Sequence, residues 1–422
     1  MSKHNLHCPQ QSAYKKCHST ETLLVKITND LLLAADERSA TVVMLLDLSA
    51  AFDTVDHDLL LKILEEEIGL KGKVLSWFES FLKGRAQRIR IGEVTSGVIY
   101  IKFGVPQGSV LGPVLFNIYI RSIYRCINKL GFDISGYADD HQILKVFKPH
   151  NQYETLVLQL DNCFTTTKSW MHRYFLKMND PKTQIIVFGS TRVLTQISIK
   201  GINLTSGTNI RFISTIKNLG IAMDDHLTFE KQVLQLKMKS FNMLRKISKI
   251  RYLLSEDDIK LVVYSFVVSC LDYCNSVYYG ISEQLIRQLQ LVQNAAAKIV
   301  KGKLKYDHVG TDLIDLHWLP IRKRIIFKLA LLSYKAINGL APSYLQEFFN
   351  YRQHGHRLKF KIPQYNLMFG KRSFSVVGPQ LMNNLPHYIL QSGNILHFKK
   401  QLKTYLFSVN GSDLTKLTAN SY

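Results

Sequence analysis

Two adjacent aspartates, Asp139 and Asp140, constrain this chain more than any other feature. They fall in a strand–turn–strand pattern between Ile134 and Phe147. A hairpin turn lets two neighbouring carboxylates reach one ligand without burying both charges. A third aspartate, Asp47, ends the apolar run Val42-Val43-Met44-Leu45-Leu46. That run is apolar on both faces, the pattern of a central strand, and its end offers rigid backbone with an open side. Three carboxylates delivered from two strands would bind a pair of divalent cations. A metal pair can clamp both the attacking and the leaving oxygens of a phosphoryl transfer. Mg²⁺ suits such a site, because it takes few protein carboxylates and keeps its other positions for phosphate and water. An isolated Asp-Asp is more often a solvated turn, so the rest of the chain has to decide.

The 422 residues allow two or three domains, each with its own core. A hydrophobic content of 46% and 11% aromatics exclude a disordered chain. The net charge of +22, from 54 basic against 32 acidic residues, favours a polyanionic partner, because neutralised phosphates release their counterions. The six cysteines, Cys8, Cys17, Cys126, Cys163, Cys270 and Cys274, form no CxxC pair. Neither a structural zinc site nor a disulfide framework is expected. Nothing near Met1 reads as a secretory signal, and no apolar stretch reaches a membrane-spanning length; the longest, Leu261 to Leu271, has a buried-helix length. An intracellular protein without a membrane partner is expected, in the nucleus or the cytoplasm.

Helical periodicity predicts helices over 20–35, capped by Thr20, and over 56–68, ended by Gly69 or Gly72. Residues 86–103 read as a hairpin. The loop Gly104-Val105-Pro106-Gln107-Gly108-Ser109 precedes a buried helix that Ser109 caps and that runs to about Asn128. The aspartate hairpin, 132–147, a helix over 153–172 and a strand over 184–189 follow. The order mixes strands and helices around one sheet, an α+β architecture. After residue 225 helices dominate, over 228–254, 256–272, 282–301 and 321–338, and the tail 350–422 carries mixed signals. The segment 228–254 holds seven basic residues against one acidic, with Val233, Leu236, Met243, Ile247 and Ile250 as its apolar stripe. Its basic face is either plainly solvated or tracks a nucleic-acid backbone.

The blocks Asp47-Leu48-Ser49-Ala50-Ala51-Phe52-Asp53, Gly104 to Pro113 and Tyr137-Ala138-Asp139-Asp140 resemble reverse transcriptases. More narrowly they resemble polymerases of non-LTR (LINE-type) retrotransposons of the jockey-like superfamily. Gln11-Ser12-Ala13-Tyr14 through Thr22 resembles a fingers motif, Asn179-Asp180-Pro181-Lys182-Thr183 the next family motif, and Leu219-Gly220 the primer grip. Asp272-Tyr273-Cys274-Asn275-Ser276 and His317-Trp318-Leu319-Pro320 resemble the thumb and C-terminal region of that group. The resemblance implies a right-hand polymerase: partial fingers and a palm with antiparallel sheet over 1–225, a helical thumb or connection over 226–345, and a helical C-terminal region of unknown role over 346–422.

The resemblance also implies an RNA-directed DNA polymerase acting on an RNA template, a DNA primer or target and deoxynucleoside triphosphates, with two Mg²⁺ ions for which Mn²⁺ would substitute. Asp47, Asp139 and Asp140 are then catalytic and, with the carbonyl of Leu48, hold the metals. Lys15, Phe52, Gln107 and Lys182 would bind the nucleotide, Phe52 as a steric gate against a 2′-hydroxyl and Lys182 as a cation or proton donor for pyrophosphate. Gly104, Gly108, Tyr137, Leu219 and Gly220 would face primer and template. No protein partner is implied.

Departures from the family pattern are Tyr14-Lys15 in place of Phe-Arg, Cys17 in place of glycine and Met382 in place of tryptophan before Asn383. A lysine is a point charge where arginine offers a planar fork. The family's first polymerase motifs and its usual N-terminal endonuclease would lie before Met1, so a truncated element copy is expected. A catalytically inactive relic or a repurposed nucleic-acid-binding protein is the alternative, and a group II intron-type maturase a more distant one.

Overall fold

The computed structural model describes residues 8–418 apart from 50, 180, 181, 198, 199, 206, 208, 355 and 356. Ala50, Asp180 and Pro181 of the motifs quoted above therefore lie outside the described residues. The chain divides into two compact units. The first comprises 1–16, 40–187 and 192–213, and the second 17–39, 188–191 and 214–422.

The first unit is built on a four-stranded sheet, in the order Gln184–Phe188, Ala40–Leu46, Asp140–Phe147, Asp133–Tyr137. Ala40–Leu46 runs antiparallel to Asp140–Phe147, from Ala40 opposite Phe147 to Leu46 opposite His141. Asp140–Phe147 pairs back on Asp133–Tyr137, with Tyr137 opposite Asp140. The expected central strand is central, with strands on both sides. Its Val42, Val43 and Met44 are each 1% exposed, which is what an apolar run without alternation requires. Val42, Met44 and Leu46 share one core with Ile63, Leu64, Phe116, Tyr119 and Phe164. Burying a side chain of this size contributes about 1.5–3 kcal/mol, so the end of this strand is among the firmer points of the unit.

The helix expected from Ser109 to Asn128 is two helices, Gly112–Tyr119 and Arg121–Lys129. The apolar surround ends at Ile120; from Arg121 onward only Ile123, Tyr124 and Ile127 face inward, so the chain turns to keep that stripe against the core. Ser109 is not the N-cap residue. Its hydroxyl donates to the Pro106 carbonyl and accepts from the Gly112 N–H, closing the turn before the helix. The helix expected at 153–172 begins earlier, at Pro149, because proline suits the first helical position. The 86–103 hairpin consists of two short ladders, Ala86–Gln87 with Ile99–Tyr100 and Arg90–Ile91 with Val94–Thr95. Its Ile91 and Tyr100 are exposed rather than packed.

The second unit is mainly helical. Its first helix, Thr20–Asp36, is capped by Ser19 rather than Thr20. Ser19 Oγ accepts from the Thr22 N–H while Thr22 Oγ1 accepts from the Ser19 N–H, a reciprocal capping box. The helix Glu230–Ile250 buries Val233, Leu236, Ser240, Leu244 and Ile247. Leu244 takes the inward place expected for Met243, and Ile250 is 44% exposed, because a strict 3.6-residue period from Val233 falls on Leu244 and passes Ile250. Residues 256–272 form one helical run whose middle, Tyr264–Val268, is a π turn. Helices Glu283–Lys301, Ile321–Ile337, Phe374–Asn384 and Ile395–Ser408 complete the unit. The tail is not wholly helical: Tyr351–His354 pairs antiparallel with Arg357–Phe360. Among the described residues no helix is long and apolar enough to cross a membrane.

Candidate active site

Asp47 follows the last residue of the strand Ala40–Leu46, and the next two residues, Leu48 and Ser49, pair with Met178 and Lys177. The Asn179 N–H donates to the Asp47 carbonyl at 3.0 Å. The backbone on either side of Asp47 is thus fixed by ladders, while its side chain stays 38% exposed. Leu46 stands opposite His141, so the end of this strand and the aspartate turn are adjacent in the sheet.

Ala138 and Asp139 are the two central residues of that turn, closed by the Tyr137–Asp140 pair. Ala138 has φ +58°. A positive φ in a tight turn is a conformation that normally takes glycine. An alanine in that region is strained by about 1–2 kcal/mol and needs support. Gln11, 1% exposed, provides it. Its Nε2 donates to the Ala138 carbonyl at 2.9 Å, and its Oε1 accepts from the Ala138 N–H at 2.9 Å. Its Nε2 also donates to Tyr124 Oη at 3.0 Å, and its Oε1 accepts from the Ala13 N–H at 2.9 Å. Flanking backbone bonds run from Ser12 N–H to the Gly136 carbonyl and from Gly136 N–H to the Gln10 carbonyl. Gly136 has to be glycine, since a Cβ there would stand 2.1 Å from Tyr124 Oη. On the other side, His141 Nδ1–H donates to the Asp139 carbonyl at 2.8 Å. Burial holds the His141 imidazole below its ordinary value, so it is the neutral ring that makes this bond.

The three carboxylates act on one another. Loss of hydration, then Asp139, then Asp47, hold the Asp140 carboxyl above the usual carboxylate range. Asp139 also reaches Tyr14, whose phenol is pushed up by burial and then by this charge. The donor set is the one a hard divalent cation takes, three carboxylates whose repulsion a cation would relieve. Among the described residues, however, no group of three or more His, Cys, Asp or Glu stands arranged to hold a metal ion. A cation would have to draw the three carboxylates closer than they are. Lys182 Nζ lies 3.3 Å from Asp47 Oδ2.

Other expected residues are placed as follows. Phe52 is half-buried, stacked on Phe116 with ring centroids 4.3 Å apart and edge-on to Tyr14 at 6.5 Å. Gln107 lies in a turn five residues before the helix Gly112–Tyr119, and its amide donates to Asp53 Oδ1 at 2.7 Å. Gly104 has φ +89°, and a Cβ there would meet the Asp53 backbone at 2.9 Å; its glycine is needed for the chain's own packing. Gly108, with φ +79°, faces open space. Tyr137 is half-buried at the edge of the turn. Lys15 is turned inward, with Nζ donating to the Cys8 carbonyl at 2.6 Å, and burial lowers its ammonium from the ordinary value. Leu219 and Gly220 belong to the second unit. They form the two-residue turn between Thr215–Asn218 and Ile221–Asp224, both with positive φ, and Tyr273 Oη donates to the Leu219 carbonyl at 2.8 Å. Gln11 was quoted only as part of a motif, and Asp53 and His141 carried no expectation. A buried glutamine has no local sequence signal, because its partner lies 127 positions away.

Comparison with known proteins bears on the same residues. The reverse transcriptase (RNA-dependent DNA polymerase) family matches residues 1–249. A probable RNA-directed DNA polymerase from transposon BS of Drosophila melanogaster is 25% identical over 337 residues, 75% of this chain and 35% of that protein. The RNA-directed DNA polymerase from mobile element jockey of Drosophila melanogaster is 24% identical over 307 residues, 69% of this chain and 32% of that protein. The chain thus spans about a third of the length of these curated relatives. Telomerase from Candida albicans superposes on 73% of this chain and 50% of its own, at 15% identity and a TM-score of 0.34, a likeness too loose to build on. The expected resemblance is met, and with more than half of its residues matched, the chain belongs to the reverse transcriptase family.

Proposed function

We propose that the chain is an RNA-directed DNA polymerase of a jockey-like non-LTR retrotransposon, and that Asp47, Asp139 and Asp140 form its catalytic centre. The observation that supports this reading is the pairing of Leu46 with His141, which sets the strand end carrying Asp47 beside the turn carrying Asp139 and Asp140. In this reading residues 1–225 serve as partial fingers and palm, 226–345 as thumb or connection, and 346–422 as a C-terminal region. The substrates are an RNA template, a DNA primer and deoxynucleoside triphosphates. A primer 3′-oxygen attacks the α-phosphorus in line, its proton leaves to solvent, and pyrophosphate departs. Two Mg²⁺ ions held by Asp47, Asp139, Asp140 and the Leu48 carbonyl would supply positive charge to both the attacking and the leaving oxygens. The chain's own contribution is positioning and charge. Gln11 and His141 fix the turn that carries Asp139 and Asp140. Lys182 gives up Asp47 for the departing pyrophosphate once the carboxylate is otherwise neutralised. Phe52, backed by Phe116, presents a ring that a 2′-hydroxyl would strike, with Gln107 beside it. Gly108 leaves the backbone open to the template strand, and Tyr137 borders the primer end. Leu219 and Gly220 serve as the primer grip. Lys15, held by Cys8, would have to leave that carbonyl to reach a triphosphate.

The test is primer extension on an RNA template with deoxynucleotides and Mg²⁺, beside Asp139→Asn. Extension by the unmutated chain and none by the variant is expected. RNA binding without extension by the unmutated chain would make it a binding protein, the reading that the family match disfavours.

A further inference from the structure

The two downstream motifs that the catalytic centre leaves unused meet in one place. Asp272 and Asn275 of the first, and His317, Trp318 and Leu319 of the second, line a cavity of about 510 Å³ in the second unit. Arg324 ties them together. Its Nη1 donates to Asp272 at 2.5 and 2.6 Å, and its Nε donates to the Leu319 carbonyl at 3.0 Å. Lys260, Lys328, Lys399 and Lys403 line the same cavity, so five cations face one carboxylate, already engaged by Arg324. Lys328 is paired with Glu21 at 3.1 Å. Lys260, Lys399 and Lys403 have no carboxylate at salt-bridge distance among the described residues. Lys399 and Lys403 stand one turn apart on the helix Ile395–Ser408 and share a face. Burial, then Arg324 and more weakly Lys260, push the Lys403 ammonium below its ordinary value, against Asp272, which acts the other way. Such crowding of like charge is unfavourable without an anion.

Asn275 and His317, both in the lining, have features of their own. Asn275 is 3% exposed, and its Oδ1 has no hydrogen-bond partner among the described residues. A buried amide oxygen left without a donor is unfavourable. His317 closes the helix Gly310–Asp315 in a Schellman turn, His317 N–H to the Ile314 carbonyl and Trp318 N–H to the Leu313 carbonyl. The left-handed position of that turn normally takes glycine; here it is a histidine with φ +54°. Tyr264, 49% exposed, and Trp318 add aromatic surface to the walls.

We propose that this cavity takes an unpaired nucleotide of a nucleic-acid strand, its phosphates on Lys260, Lys399 and Lys403 and one of its hydrogen-bond donors on Asn275 Oδ1. Only an unpaired nucleotide has its base N–H groups free for Asn275 and its face free for Tyr264. The inference goes beyond the polymerase reading and does not need it, since binding involves no deoxynucleotide. The test titrates the full chain with labelled oligouridylate, oligodeoxythymidylate and a blunt RNA duplex at several salt concentrations. Lys399→Gln/Lys403→Gln should weaken oligouridylate binding at least tenfold and make its salt slope shallower by about 1.4. Lys305→Gln/Lys361→Gln, at exposed lysines outside the cavity, should change neither. Asn275→Leu should weaken single-strand binding while leaving the salt slope in place. Equal loss with the two single strands assigns the donor to the base, and a loss confined to oligouridylate assigns it to the ribose hydroxyl; both support the site. Unchanged oligouridylate binding by Lys399→Gln/Lys403→Gln, or an equal loss with the duplex, would overturn it. Binding is read without deoxynucleotides or Mg²⁺ and primer extension is assayed separately, which separates failure here from failure of the polymerase reading.

Discussion

Loss of hydration and the neighbouring Asp139 and Asp47 carboxylates raise the Asp140 carboxyl above its ordinary value. Its folded-state value lies above its unfolded one, so the stability it contributes is present at low pH and lost as pH rises through the folded value. Asp140→Asn should therefore raise the melting temperature of the metal-free chain at pH 7, and Mg²⁺ should raise it for the unmutated chain but less for the variant; calorimetry with and without chelator measures both. Gln11 is the other residue whose removal is informative. Gln11→Leu leaves the Ala138 N–H and carbonyl unpaired at a strained turn, at a cost of about 2–5 kcal/mol for two buried groups. Denaturant titration should show that loss, and single-turnover extension should fall by more than tenfold as Asp139 loses its fixed position. The three acids were legible in the sequence because a strand end and a tight turn are local patterns. The support beneath them was not, because Gln11 meets Ala138 only after the sheet has formed. Gly104 was legible as a special glycine, whereas its close contact with the Asp53 backbone was not.

Among the elements, strands and long helices were legible wherever periodicity was unbroken. The central strand, the aspartate hairpin and the helices Glu283–Lys301 and Ile321–Ile337 fall within a residue or two of expectation. Ends and breaks were not: Ser19, not Thr20, caps the first helix, and Ile120 splits an apolar segment that reads as one helix. These depend on which hydroxyl reaches which N–H, and on where a core stops. The helix Glu230–Ile250 gives the sharpest contrast. Leu244→Ala, at a buried position, should cost about 2–5 kcal/mol. Ile250→Ser, at an exposed one, should fall within about 0.5 kcal/mol of the unmutated chain. Urea unfolding of the two variants checks both. A second element, the Leu219-Gly220 turn, carries its own expectation. Gly220→Ala meets both a φ of +86° and the Tyr273 ring 3.3 Å away, and should destabilise by about 1–2 kcal/mol in the same experiment.

At the scale of the whole molecule, the surplus of 22 positive charges makes binding to any nucleic acid depend steeply on salt. The logarithm of the binding constant for an RNA–DNA hybrid should fall linearly with the logarithm of salt, by about 0.7–0.9 per phosphate engaged. A flat dependence would mean that the charge only keeps the chain soluble. The charge was readable from composition; its concentration around the cavity of the second unit was not, since Lys260, Lys328 and Lys403 come from three separate helices. The central claim is narrower than net charge: Asp47, Asp139 and Asp140 act as one divalent-cation site for nucleotidyl transfer. Mn²⁺ binding followed by electron paramagnetic resonance tests it most directly, on the unmutated chain and on Asp47→Asn, Asp139→Asn and the double variant. The account predicts binding by the unmutated chain, at least tenfold weaker binding in each single variant and none at this site in the double variant. Equal Mn²⁺ binding by the unmutated chain and the double variant would contradict it.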